Sequence, residues 1–209
     1  MIKEKDFVEI DYEGRITGTT AVFDLTDEAK AKKLKIHQKT SLYGPKIFCV
    51  GKNYLLAKLE TSLVGKKEGD EYEVDLTSEE SFGKKLPELI RTIATSEFLK
   101  QKIQPYPGLQ VTLMGRNGLI KSVSRGRTLV DFNHPLAGRN VTYKIKVLSI
   151  VKDDEKKLKG LIQTLLNIKE PKIENKEGTF KINEKIAKPI QDTFLKELKE
   201  TIPSIKASF

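Results

Sequence analysis

The sequence predicts an α+β protein: a curved antiparallel sheet packed on a short helix, a small β-rich unit inserted into it, and an α/β segment after it. Three observations carry this. Val8, Ile10 and Tyr12 alternate with Glu9, Asp11 and Glu13, and far along the chain Val141, Tyr143, Ile145 and Val147 alternate with Thr142, Lys144 and Lys146. Period-two alternation of this kind marks strands with one buried face. Between them an apolar helical stripe of Leu56, Leu59 and Leu63 ends at Gly65, the residue type that best closes a helix. Finally, residues 85–128 differ in charge and turn pattern from the sequence on either side.

The elements follow in order. Gly14 interrupts the first strand, and Ala21-Val22-Phe23-Asp24 returns beside it. Asp27-Glu28-Ala29 starts a short helical turn, Ile47 to Val50 reads as a buried strand, and Tyr72, Val74 and Leu76 alternate again. In the insert, Thr95-Ser96-Glu97 starts a helix, with Ser or Thr as the cap of its exposed amides, and Pro105 to Gly108 breaks it. Val111–Met114 and Leu119–Val123 flank Arg116-Asn117-Gly118. Asn-Gly tolerates the positive φ of a type I′ turn, so the hairpin turn is placed there. From Asp153 onward, Leu158, Leu161, Ile162 and Leu165 form one helical stripe and Ile190, Phe194 and Leu198 another. Lys172 to Ile182 reads as a hairpin about Glu177-Gly178, and Pro189 fits the first turn of the last helix. An α-β-β-α unit of under about 60 residues is marginal alone, so docking or a homodimer through this C-terminal domain is expected. The expected domains are residues 1–84 with 129–152, the insert 85–128, and 153–209.

Composition narrows the function. Apolar residues make up 38% and charged residues 32% of the 209, which fits a soluble globular chain. No stretch approaches the roughly 20 apolar residues that cross a bilayer. The opening Met1–Gly14 is charged and lacks a signal peptide's apolar core, so no membrane partner and a cytoplasmic location are expected. Cys49, the one cysteine, lies in the apolar run Ile47-Phe48-Cys49-Val50, which points to a buried, inert thiol. Two histidines, His37 and His134, are too few for a metal site, and no metal or other cofactor is expected. Acid/base triads, Gly-rich phosphate loops and aromatic-interleaved nucleic-acid motifs are all lacking. The net charge of +9 is concentrated in the insert, where residues 85–128 carry eight Lys/Arg against two acids, Glu88 and Glu97.

Five segments then combine. Val8-Glu-Ile-Asp-Tyr-Glu-Gly14, Val22-Phe-Asp-Leu-Thr26, Leu59-Glu-Thr-Ser-Leu-Val-Gly65 with Gly69-Asp70, Glu80-Ser-Phe-Gly83 and Val130-Asp-Phe-Asn-His-Pro-Leu-Ala-Gly138 occur in this order. Together they resemble the FKBP-type peptidyl-prolyl cis/trans isomerases, in the long archaeal, SlyD-like form, over residues 1–152. The resemblance implies an isomerase acting on X-Pro bonds of unfolded or nascent polypeptides, with an inserted insert-in-flap domain as chaperone. It also implies a pocket lined by Tyr12, Phe23, Asp24, Leu55, Leu56, Leu59, Phe82, Leu136, Ala137 and Tyr143. The insert's apolar residues Leu89, Ile90, Ile93, Phe98, Leu99, Leu113 and Met114 are the expected client surface, and the surrounding bases suit acidic chains or proximity to the ribosome. Two departures weaken the expected catalysis. Phe82 stands where the family has a tyrosine hydroxyl to bond a substrate carbonyl, and Lys58 stands where it has glycine. The alternative is therefore an FKBP-like holdase that binds unfolded chains without significant isomerisation.

Overall fold

β1 (Phe7–Ile16) is the strand on which the main sheet is built. The computed structural model describes residues 1–176 and 179–209. It divides into two units, residues 1–76 with 140–209, and residues 77–139. In the first unit come β2 (Val22–Leu25), α1 (Glu28–Lys33), β3 (Lys46–Cys49), α2 (Ala57–Leu63) and β4 (Glu71–Leu76). In the second lie β5 (Ile90–Ala94), α3 (Thr95–Lys100), β6 (Gln110–Leu113), β7 (Arg116–Ser124) and β8 (Arg127–Asp131). The chain then returns to the first unit with β9 (Val141–Val151), α4 (Asp154–Leu166), β10 (Ile173–Lys176), β11 (Thr179–Ile182), α5 (Lys188–Thr201) and β12 (Lys206–Ser208). The predicted α+β class is what forms.

The main sheet has the order β2-β1-β9-β4, with β3 also beside β1. β1 pairs antiparallel with β9 along its whole length, from Phe7 opposite Val151 to Ile16 opposite Val141. Its other edge is shared: Phe7 to Ile10 pair with β3, and Glu13 to Arg15 with β2. Contrary to expectation, Gly14 does not end the strand. The chain continues to Ile16, with a register shift against β2 just after Gly14.

Directly paired residues share a face, so the register sorts side chains onto two sides. Val8, Ile10, Phe48, Ile145 and Val147 are buried on the side that carries Tyr12. α2 supplies buried Leu59 and Leu63, and its Ser62 hydroxyl lies 3.2 Å from that of Tyr72 on β4. On the opposite side, Phe7, Cys49 and Val151 join Leu158, Leu161, Ile162, Phe194 and Leu198 in a second core. Burial pushes the Cys49 thiol up to about 11, consistent with the inert role read from its sequence context. Asp153 caps α4, accepting from Lys156 N at 2.7 Å, and the helix lies on β3, where Gly160 meets Ile47.

The segment from Asp153 thus shares its core with the main sheet. A fully buried Leu, Ile or Phe stabilises by about 1.5–3 kcal/mol, and docking supplies what a short segment lacks alone. Its two expected strands pair from Ile173–Ile182 to Lys176–Thr179, while the turn assigned to Glu177-Gly178 lies outside the described residues. A third strand, β12, adds in parallel to β11; the short run Lys206–Ser208 carries no alternation long enough to announce it.

The second unit is a four-stranded sheet of order β5-β8-β7-β6 with α3 beside it. At residues 77–139 it is wider than the span 85–128 read from charge. Its core is Phe98, Val111, Leu113, Ile120 and Val130. Here the hairpin expectation needs correction. Asn117 and Gly118 lie within β7, opposite Thr112 and Val111. The turn is Met114-Gly115, with φ of 51° and 72°, and the next hairpin turns at Arg125-Gly126 with 47° and 75°. Gly118 is used for space: a Cβ there would stand 2.7 Å from Val130 and 2.8 Å from Phe132. α3 also differs in its cap. Ala94 holds that position, and the Thr95 hydroxyl instead pairs with that of Thr128 at 3.0 Å.

These assignments predict distinct costs in urea unfolding of the full chain. Gly118→Ala should lose about 1–3 kcal/mol through overpacking, and Gly115→Ala about 1 kcal/mol through its left-handed backbone. Asn117→Ala, on an exposed strand position, should lose less than about 0.5 kcal/mol.

Candidate active site

Four of the expected pocket residues meet around Gly14. The rings of Tyr12 and Tyr143 lie 5.9 Å apart, and that of Phe23 meets Tyr143 edge-on at 5.7 Å and 85°. Edge-to-face contact is the favoured geometry for such rings. The backbone makes this possible, because a Cβ on Gly14 would stand 2.9 Å from both Phe23 and Tyr143. Gly14 pairs with Tyr143 on one side and Asp24 on the other, which brings the carboxylate to the same face. Buried Thr26 secures the corner: Tyr12 N donates to its hydroxyl, its N donates to Tyr12 O, and its hydroxyl donates to Asp11 at 2.8 Å.

Asp24 has polar neighbours on several sides. Burial raises its pKa, opposed by the neighbouring Tyr12 hydroxyl, by nearby Lys46 and by the Leu25 amide. Burial, with the Asp24 charge, also pushes Tyr12 and Tyr143 well above the ordinary phenol range. Both tyrosines therefore keep their protons and can act as donors. Lys46, on β3, is lowered by burial and partly restored by Asp24. With no histidine or free nucleophile in this cluster, its chemistry is that of an aromatic wall with one carboxylate beside it, suited to holding an amide.

Leu55, Leu56 and Leu59 are placed by Glu60, which sequence reasoning did not single out as functional. This glutamate is only 2% exposed. One carboxylate oxygen accepts from Gly51 N at 2.9 Å and Asn53 N at 3.0 Å, the other from Leu55 N at 2.8 Å. Three amides thus hold the chain entering α2, with Leu55 and Leu56 half-buried and Leu59 in the core. Between Asn53 and Leu55, Tyr54 donates to Glu197 of α5 at 2.6 Å. Lys58 is exposed in the first turn of α2. Apart from these residues, a groove of about 470 Å³ opens beside Tyr54, Ile190 and Phe194; it contains none of the expected pocket residues.

Phe82, Leu136 and Ala137 belong to the second unit. Phe82 stacks on His134 at 4.7 Å and 3°. Around that ring, Leu136 N donates to His134 Nδ1, Ala137 N to His134 O, and Gly138 N to Gly83 O at 2.8 Å. Asp131 and Asn133 support the same loop. Burial opposes the Asp131 charge, but Lys85 at 2.7 Å and Asn133 outweigh it and hold the carboxyl below its usual range. Of the expected client residues, Phe98 and Leu113 are instead core of this unit, fully buried and 7% exposed. Leu89, Ile90 and Ile93 are half-buried. Leu99 at 54% and Met114 at 97% are exposed, as is Tyr106, which the sequence reading passed over. Period-two and helical patterns cannot separate a small domain's own core from an exposed groove, because both need apolar residues.

Comparison with known proteins identifies the family. A family model described as "FKBP-type peptidyl-prolyl cis-trans isomerase" matches residues 1–104, and one described as "FKBP26, IF domain" matches residues 91–136. The chain is 31% identical over 150 residues to a short-type peptidyl-prolyl cis-trans isomerase of Methanocaldococcus jannaschii, covering 72% of this chain and 94% of that protein. The chain belongs to the FKBP-type peptidyl-prolyl cis-trans isomerase family. An FKBP-type 16 kDa isomerase of Escherichia coli is 33% identical over 111 residues, with 51% and 74% of the two chains covered. A SlyD isomerase of Helicobacter pylori is 25% identical over 119 residues, covering 54% and 63%. No cluster of metal-ligating side chains occurs among the described residues. Nor is any helix among them long and apolar enough to cross a membrane.

Glu60 gives the FKBP site its most direct structural test. Glu60→Gln replaces one acceptor oxygen by a donor facing backbone N–H groups, and should lower stability by about 1–3 kcal/mol, read as a lower urea midpoint at unchanged slope.

Proposed function

We propose that this FKBP-type isomerase catalyses X-Pro rotation in unfolded or nascent chains and holds those chains through its insert. The observation that carries the reading is the ring cluster of Tyr12, Phe23 and Tyr143 seated on Gly14, with Asp24 paired opposite that glycine. Rotation about the peptide bond meets a barrier of about 18–20 kcal/mol because the planar amide has partial double-bond character. A twisted amide loses that conjugation and its polarity, so an apolar aromatic wall binds it in preference to the planar form. That preference lowers the barrier without any covalent step. Family resemblance assigns the same task to Phe82, Leu136 and Ala137.

The holdase alternative has one observation in its favour. Phe82 carries no hydroxyl, and its ring is stacked on His134. A neutral hydrogen bond contributes about 0.5–1.5 kcal/mol, so its absence reduces turnover by several-fold rather than abolishing it. Phe82→Tyr should raise kcat/KM on short Xaa-Pro peptides by about three- to ten-fold. No gain would count against a pocket role for Phe82, and no turnover by either protein would favour the holdase.

For client holding, the exposed residues of the insert are the ones to test. Leu99 and Met114 present apolar surface among bases such as Lys100, Lys102 and Arg116. The double substitution Leu99→Ser with Met114→Ser should weaken suppression of aggregation of a denatured protein and leave short-peptide isomerisation within about two-fold. Equal loss of both activities would overturn this division of labour.

A further inference from the structure

Lys46 lies on the pocket side of the main sheet, a position where charge is costly. It pairs with Ile10 in the β1–β3 ladder, and Ile10 shares its face with Tyr12 two residues on. Its side chain is half-buried. It neighbours Asp24 closely enough for each charge to bear on the other, yet the two form no ion pair within 4 Å among the described residues. The ammonium's hydrogen bond within the described residues goes to the Leu42 carbonyl. An ammonium has three donors, so two N–H groups have no acceptor among the described residues. Asp24, in contrast, lies beside the Tyr12 hydroxyl and the Leu25 amide, both of which favour its charged form.

We propose that Lys46 is a specificity-determining residue that favours substrates with an acidic side chain next to the proline. This rests on reading the Tyr12–Phe23–Tyr143 cluster as the isomerase pocket. The remaining N–H donors offer a carboxylate a charge-assisted bond, which is shorter and about twice as strong as a neutral one. Half-burial limits the screening that makes surface pairs weak. Asp24 tempers the attraction, but as a carboxylate it can only accept, whereas a substrate carboxylate needs donors. Among the described residues Lys46 supplies such donors on this face, with one of its three bonded to the Leu42 carbonyl.

The test uses the full chain and peptides that differ only in the residue before proline: Glu, Gln, Leu and Lys. Turnover and, separately, binding by fluorescence titration are measured for each. The expected Glu-to-Gln preference is about three- to ten-fold in both readouts, with Lys disfavoured, and it declines as salt rises from low to high ionic strength. Lys46→Met should bring that ratio close to one, and Lys46→Arg should preserve it. A purely structural role for Lys46 would lower all peptides together and leave the ratio unmoved. Absence of turnover on every peptide, with binding and its ratio intact, would strike the isomerase reading and leave Lys46 its role in selection. A binding ratio near one in the unsubstituted protein, a ratio unchanged in Lys46→Met, or no binding of any peptide would overturn the proposal.

Discussion

A single buried carboxylate governs how the first unit is assembled. Glu60 sits on α2, almost without access to solvent, and its two oxygens collect the amides of Gly51, Asn53 and Leu55. Burying that charge would be prohibitive without donors, and an irregular segment has unpaired amides to give. Each side of the arrangement removes the other's penalty. Its product is a fixed path from β3 into α2, which places Leu55 and Leu56 ahead of the helix and aims Tyr54 away toward Glu197. The candidate pocket and the docking of the C-terminal segment therefore depend on the same short stretch of chain.

The main sheet divides its work between two sides. On one, the space above Gly14 admits Phe23 and Tyr143 and so allows an aromatic cluster where an ordinary strand would present one more side chain. On the other, Phe7, Cys49 and Val151 form part of a core completed by α4 and α5. The two lie at opposite ends of β1: the sheet is buried on both sides at Phe7, whereas behind the aromatic cluster it carries exposed ion pairs such as Arg15–Glu73 and Lys144–Glu71. Catalysis by preferential binding tolerates little movement of its walls.

The insert solves a different problem. At 77–139 it must build its own core, and it spends Phe98 and Leu113 on that core. What remains exposed includes Leu99, Tyr106 and Met114.

The sequence by itself determined most strands of the main sheet, their buried faces, the helix α2 and the family, since period-two alternation and short motifs are local properties; β5, β8 and β12 are too short or too mixed in pattern to announce themselves. Tertiary structure alone decided the uses of particular residues. Gly14 and Gly118 read as breaks or turns, yet both sit inside strands, because what excludes a side chain there is the approach of other side chains, Phe23 and Tyr143 at Gly14 and Val130 and Phe132 at Gly118. Glu60 looks like an ordinary charged residue in sequence; burial and the three amides around it give it a distinct structural role. Phe7 stands one place out of phase with Val8 and Ile10, and only the arrival of α4 and α5, some 150 residues later, explains why it is apolar. Contacts between residues far apart in the chain leave no periodic trace, so a close approach, a buried acceptor or a shared core becomes visible only when the chain is folded.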